Sequence, residues 1–181
     1  SDTLFPTEQA EVTPAEIFDD IFNDIPNTDN TRRQHLTMND ITSIDPYTFE
    51  AVVAAFFHNM NKTVYLTPEQ NDKGIDVIVM PDTQDKAGLL IQVKHTKEER
   101  KVGSEAVKEV FTAKRLFERK FNIQFKCAAV TNSEFTNDAM ELAIENEVEL
   151  LNKTWIKENL ERHKIYWATV RKMELQRMEK V

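Results

Sequence analysis

Asp76, Gln92 and Lys94 are the residues whose types and spacing point to chemistry. They lie in two stretches rich in Ile and Val, Gly74-Ile75-Asp76-Val77-Ile78-Val79-Met80 and Gly88-Leu89-Leu90-Ile91-Gln92-Val93-Lys94. The link from Pro81 to Ala87 is polar and carries turn formers, so the pair reads as two antiparallel strands joined by a hairpin loop. Pairing about the middle of that loop sets Asp76 opposite Gln92 and Gly74 opposite Lys94. Opposed residues, and residues two apart, share one face of a sheet. A carboxylate, an amide and an ammonium then converge in an otherwise apolar hairpin, where buried polar groups are costly unless satisfied.

Two readings account for that convergence. In one, Asp76 and Lys94 form a buried ion pair and Gln92 is a satisfied amide. In the other, the cluster hydrolyses a phosphodiester, a reaction that needs a nucleophilic water and relief of developing charge. A hard divalent cation supplies both. Mg²⁺, with Mn²⁺ as a substitute, takes oxygen ligands. Asp76 offers a carboxylate oxygen, Gln92 an amide oxygen and Val93 its main-chain carbonyl. Lys94 points the same way and can orient or acidify the attacking water. Glu50, on a neighbouring helix, is placed to hold a water of that ion or a second ion; its bland reading is a surface carboxylate at a helix N-terminus. Asp72 is a rival carboxylate, but it precedes the strand and reads as a turn residue. His35, His58, His95 and His163 have no zinc-ligand spacing. His95 follows the lysine, points to the other face and reads as structural.

The elements that must position these residues follow from capping and periodicity. Thr13-Pro14 opens a short acidic helix with Ile17, Phe18, Ile21 and Phe22 as its apolar stripe, followed by a linker from Asn27 to Gln34 that includes Arg32-Arg33. Asp45 caps a helix in which Phe49, Val52, Val53, Phe56, Phe57 and Met60 recur at helical spacing. Thr63 to Leu66 is a short strand before the hairpin. A long helix starts at Val102-Gly103-Ser104-Glu105, with Ser104 as its cap, and runs to about Phe121. Phe125 to Thr131 is an apolar strand. A helix then begins after Thr131-Asn132-Ser133-Glu134-Phe135-Thr136, capped by Ser133 or Thr136, with a phosphate contact at its N-terminus compatible with that capping. Val148 to Leu151 is a brief last strand, and Asn152 caps a helix from Lys153 to about Arg162. Ile165 to Met178 is apolar enough to need a partner surface. Strand–helix–strand beside a hairpin implies an α/β fold, a central mixed sheet with helices on both faces. The three glycines, Gly74, Gly88 and Gly103, are all expected near the site.

The chain of 181 residues accommodates one core with extensions. No apolar run approaches the roughly 20 residues of a membrane span, and no signal peptide is visible. Cys127 is the only cysteine, so no intrachain disulfide forms; its apolar setting reads as a packed thiol, and a reducing cytoplasm fits. The net charge of −8 by itself argues against a nucleic-acid binder. The distribution argues otherwise. Residues 1 to 30 carry eight acidic and no basic side chains, whereas Lys94 to Lys126 holds ten basic against five acidic. Beside the cluster, Lys97, Arg100, Lys101 and Lys108, with Ser104, Thr131 and Ser133, form a candidate phosphate-facing rim; the alternative is a solvated helix face.

Tyr47-Thr48-Phe49-Glu50, Lys73-Gly74-Ile75-Asp76-Val77-Ile78, Ile91-Gln92-Val93-Lys94-His95, Val102-Gly103, and Thr131-Asn132-Ser133-Glu134-Phe135-Thr136 with Ala139 occur in this order. Together they resemble the Mrr-type restriction endonuclease catalytic domain of the PD-(D/E)xK superfamily, over about residues 45 to 162. The resemblance implies a restriction-endonuclease-like core, Mg²⁺ dependence and DNA cleavage. By match, Asp76 is the acidic metal ligand, Gln92 stands where many superfamily members have Glu or Asp, Lys94 is the motif lysine, and Glu50 is the helix glutamate. Lys73 departs from the pattern, where the family often has a second glycine. The expected organisation is an acidic extension over 1–44, a nuclease domain over 45–162, and a C-terminal amphipathic helix over 163–181. Residues 1 to 44 are too short and acidic for a winged-helix DNA reader, so target choice is expected in another domain or subunit. The implied protein is a prokaryotic, cytoplasmic, defensive nuclease of double-stranded DNA, working as a homodimer or within a larger assembly. The rival readings are a binding or assembly module of the same fold and a structure-specific repair nuclease.

Overall fold

Capping and apolar spacing set the two helices that precede the sheet. The computed structural model describes residues 34–69 and 74–180. The expected helix after Thr13, the Arg32-Arg33 pair, Asp72 and Lys73 lie outside the described residues. Helix α1 (Met38–Ser43) is closed by a reciprocal capping box between Thr37 and Asp40. It buries Ile41 and has no counterpart in the sequence reading, since six residues are too few to display a period. Helix α2 (Pro46–Asn59) starts where the Oδ1 of Asp45 accepts the Thr48 N–H at 2.9 Å, with Pro46 in the first turn. Every residue from Phe49 to Phe57 is buried, so this helix is enclosed by the fold rather than lying on it.

The sheet has five strands in sequential order: β1 (Val64–Leu66), β2 (Val77–Val79), β3 (Gly88–Lys94), β4 (Phe125–Thr131) and β5 (Val148–Leu151). β1, β2 and β3 form an antiparallel meander, and β3, β4 and β5 run parallel. The parallel steps need crossovers, supplied by α3 (Ser104–Phe121) and α4 (Asn137–Glu145). Helices α5 (Lys153–Arg162) and α6 (Trp167–Leu175) follow β5. β2 is shorter than the expected Gly74–Met80, but backbone bonds extend its pairing: Thr67 N–H to the Asp76 carbonyl at 3.0 Å, and Met80 N–H to the Thr63 carbonyl at 2.9 Å. Lys62 bridges Asp82 and Asp85 across the hairpin loop, while the Oδ1 of Asp82 accepts the N–H groups of Gln84 and Asp85.

Alternation along the strands divides the core in two. Val77, Val79, Ile91, Val93, Ala128 and Val130 face α1, α2, α5 and α6. Ile78, Leu90, Cys127, Ala129 and Val148 face α3 and α4. Fully burying a side chain such as Phe49, Phe56 or Phe117 stabilises the fold by about 1.5–3 kcal/mol each. The last segment, from Ile165, shares the first core through Ile165, Val170 and Met173. Cys127 is buried, and its thiol pKa is pushed up to about 11 by that burial. Among the described residues, no helix is long and apolar enough to cross a membrane.

Gly88 is not at the site. It starts β3, opposite Phe125, at the strand end remote from Lys94. A Cβ there would lie 2.6 Å from the Phe125 ring and 2.8 Å from the Val79 carbonyl. We expect Gly88→Ala to destabilise the fold by roughly 1–3 kcal/mol in denaturant titration, as overpacking generally does. An unchanged midpoint would mean that the β2–β3–β4 spacing yields freely.

Candidate active site

The β2–β3 register pairs Val77 with Ile91 and Ile78 with Leu90. Carried one step on, it sets Asp76 beside Gln92, where the Asp76 N–H donates to the Ile91 carbonyl at 2.9 Å. The Asp76 Oδ2 accepts the Val93 N–H at 2.8 Å, so the carboxylate continues the ladder beyond the strand. Within a strand, the N–H and C=O of one residue point to the same side, which turns the Val93 carbonyl towards Asp76 as well. Asp76, Gln92 and Lys94 share the face that holds Ile78 and Leu90, and all three line one cleft of about 680 Å³.

The opposite wall of that cleft is α3, through Glu105, Lys108, Glu109, Thr112, Ala113 and Leu116. Glu109 holds the Lys94 ammonium, with Oε2 at 3.0 Å and Oε1 at 3.4 Å from Nζ. Gly74 makes this approach possible. Its φ is +71°, and a Cβ would stand 3.1 Å from both the Cβ and the carbonyl oxygen of Glu109. Sequence reasoning missed Glu109 as a site residue. The available signal was its face of α3, where Glu105, Lys108, Glu109, Thr112 and Leu116 recur at helical spacing.

Burial pushes the Asp76 carboxyl up to about 6; the Val93 N–H and the Lys94 charge pull it back, and Glu109 raises it further. Glu50 is 8% exposed, and burial together with the Asp76 charge pushes it up to about 7, against the pull of Arg177. Gln92 is 6% exposed, and its Oε1 is buried without a hydrogen-bond partner among the described residues. Such an atom ordinarily costs about 1–3 kcal/mol. An orphaned amide oxygen, a buried carboxylate that holds its proton too tightly and an adjacent main-chain carbonyl are oxygen donors that suit a hard divalent cation. Among the described residues, no three His, Cys, Asp or Glu side chains gather as a metal-binding group, so this donor set is mixed rather than all-carboxylate.

Glu50 approaches from α2 and is committed to Arg177, a residue the sequence reading did not single out. The Arg177 Nη1 donates to the Glu50 Oε1 at 3.1 Å and to the Thr67 carbonyl at 2.8 Å. A fixed guanidinium thus stands at the carboxylate that was expected to hold a water of the ion or a second ion.

The expected rim divides. Lys97, Arg100 and Lys101 are exposed in the loop after β3, and Lys108 is exposed at the cleft wall. Ser104 is half-buried and begins α3, but it is not the cap; Gly103 is, with no side-chain cap bond. Thr131 and Ser133 do not belong to the rim, because both side chains are buried. The Thr131 Oγ1 accepts the Ser133 N–H at 3.2 Å, and Thr136, not Ser133, caps α4. His95 faces the other side of the sheet, where its Nε2 lies 2.8 Å from the Ile41 carbonyl and its ring packs on Phe49. Asn132 bonds both the N–H and the carbonyl of Thr96, tying the loop after Lys94 to the end of β4.

Comparison with known proteins bears on the family and the fold. The Mrr catalytic-domain model, described as a restriction endonuclease, matches residues 41–160. No curated protein matches the sequence. Among solved structures, AF1548, a protein of unknown function, is similar with a TM-score of 0.56 and 16% identity, over 65% of this chain and 66% of its own. AspBHI, a DNA modification-dependent restriction endonuclease, gives 0.49 and 17% identity over 96% of this chain and 43% of its own. The MspJI restriction endonuclease, solved with a 27-mer oligonucleotide, gives 0.45 and 16% identity over 72% of this chain and 28% of its own. The chain therefore spans about two thirds of AF1548 and less than half of either enzyme. With the model match covering most of the sequence and enclosing Glu50, Asp76, Gln92 and Lys94, the chain belongs to the Mrr-type restriction endonuclease family and has its restriction-endonuclease-like fold.

Proposed function

We propose that the cleft between β3 and α3 is the centre of a Mg²⁺-dependent DNA endonuclease that hydrolyses a phosphodiester. The observation that carries this reading is the buried Oε1 of Gln92, unpartnered among the described residues, on the same cleft as Asp76 and Lys94. Asp76, Gln92 and the Val93 carbonyl hold the ion, which when bound supplies Lewis acidity at the phosphate and acidifies water. Asp76 serves as a ligand only when ionised, and the Val93 N–H and Lys94 favour that form. Lys94, steadied by Glu109, orients the attacking water and offsets negative charge as it develops on the phosphate. Glu50 adds a carboxylate whose charge reaches Asp76. Lys97, Arg100, Lys101 and Lys108 supply exposed positive charge beside the cleft for the flanking phosphates, while Ser104 lies at the start of α3.

One such centre cuts one strand. Cleavage of a duplex then takes two centres, in a homodimer or a larger assembly, or two successive events. The setting that fits is a prokaryotic cytoplasm and defence against foreign DNA.

Cleavage of duplex DNA should require Mg²⁺ or Mn²⁺ and stop with a chelator. Asp76→Ala and Lys94→Ala should each lower the rate by about a hundredfold or more, the scale of losing a preorganised electrostatic group. Full activity in Asp76→Ala would end the assignment. DNA binding without turnover by the wild type would favour an assembly module, and preference for branched or nicked DNA would favour repair.

A second prediction concerns the metal-free protein. The folded-state pKa of Asp76 is about 6 against an ordinary 3.8. Its contribution to stability is therefore full below 3.8 and lost as pH rises through 6. Asp76→Asn, which keeps an acceptor for the Val93 N–H, should be more stable than wild type by about 1–3 kcal/mol at pH 8. The difference should vanish at acidic pH. A variant equally stable, or less stable, at pH 8 would contradict this electrostatic account.

A further inference from the structure

The family model ends at residue 160, yet a side chain beyond it reaches the centre. Arg177 follows α6 and is 11% exposed in its side chain. Its place is set from both ends. Upstream, Val170 and Met173 of α6 are buried in the core shared with α2. Downstream, the Met178 N–H donates to the Leu66 carbonyl at 2.9 Å, fastening the chain to the end of β1. Between these anchors the guanidinium is held on three sides. Besides Glu50 and the Thr67 carbonyl, Nη2 donates to the Tyr47 carbonyl at 3.3 Å, and the Tyr47 ring lies 5.8 Å from Cζ. Thr67 is itself joined to the Asp76 carbonyl through its N–H. The fork thus ties the start of α2, the end of β1 and, through Thr67, the Asp76 backbone.

We propose that Arg177 is a positioning residue of the nuclease centre: it fixes the Glu50 carboxylate on α2 and, through Thr67, the backbone at Asp76, so that the segment after α6 is part of the catalytic apparatus. A planar fork suits this role better than an ammonium, because it bonds a carboxylate and a carbonyl at once in a fixed geometry. The proposal rests on the nuclease reading, since it assigns Glu50 a part in that reaction.

The test is a double-substitution cycle with Arg177→Met, Glu50→Gln and both together, beside Asp76→Ala as the reference. Arg177→Met should lower kcat about tenfold or more and leave KM for DNA within about twofold. Glu50→Gln should do the same, and the double variant should be no slower than the slower single one. Mn²⁺ affinity without DNA, read by calorimetry, should weaken severalfold on Arg177→Met in the wild-type background and not in the Glu50→Gln background. If Arg177→Met does not fold, Arg177→Lys carries the test, with a reduced kcat and an unchanged KM. Wild-type kcat in a folded Arg177 variant, or losses that multiply with those of Glu50→Gln, would make the arginine a packing residue only. That result with Asp76→Ala inactive would sink this inference and leave the nuclease reading standing. Normal cleavage by Asp76→Ala would sink both.

Discussion

The antiparallel pairing of β2 with β3 is the constraint on which the rest depends. A slip of one residue would turn every side chain of a strand to the other face. Val77 and Ile91 would then leave the core they share with α2, and Asp76 would leave the cleft. Several features hold the register. Both faces of the hairpin are buried, Lys62 and Asp82 close its loop, and the Asp76 N–H bonds the Ile91 carbonyl. The Asp76 carboxylate takes part too, because it accepts the Val93 N–H. The candidate metal ligand is therefore positioned by the sheet it extends rather than by a loop.

This placement concentrates charge that the fold alone does not balance. Asp76 and Glu50 are both buried enough to hold their protons above the usual carboxylate range, and each carries the other's field or that of Glu109. Lys94 and Arg177 offset part of it. Gln92 adds a buried oxygen with no donor to meet it among the described residues. Native proteins satisfy most buried polar groups, and the exceptions ask for a reason. Family membership and the arrangement of these donors both suit the proposed one, a cation-assisted endonuclease.

Local signals made much of this legible. Asp45 and Asn152 are caps that the chain announces, Thr136 is one of the two candidates it offers for α4, and the bounds of β4 and β5 follow from apolar runs closed by polar residues. The hairpin register followed from turn chemistry and alternation. What escaped depends on long-range approach. Glu109 meets Lys94 because α3 settles against Gly74, and Arg177 meets Glu50 across most of the chain's length. Only the periodic face of α3 hints at the first, and nothing local marks the second. Gly88 and Ser104 were misplaced for a related reason: composition marks a glycine or a serine as special without saying whether space, turn or cap is its purpose. Thr131 and Ser133 resemble surface hydroxyls in sequence, but Thr131 ends β4, an interior strand, and Ser133 is buried two residues beyond it.

The central claim is that Asp76, Gln92 and the Val93 carbonyl share one cation. Crystals grown without metal and soaked in Mn²⁺, with anomalous diffraction recorded, test it most directly. The account predicts a single strong peak within coordination distance of an Asp76 carboxylate oxygen, the Gln92 Oε1 and the Val93 carbonyl oxygen. A clear map with no peak there, and with the Gln92 amide hydrogen-bonded to a protein donor, would contradict it.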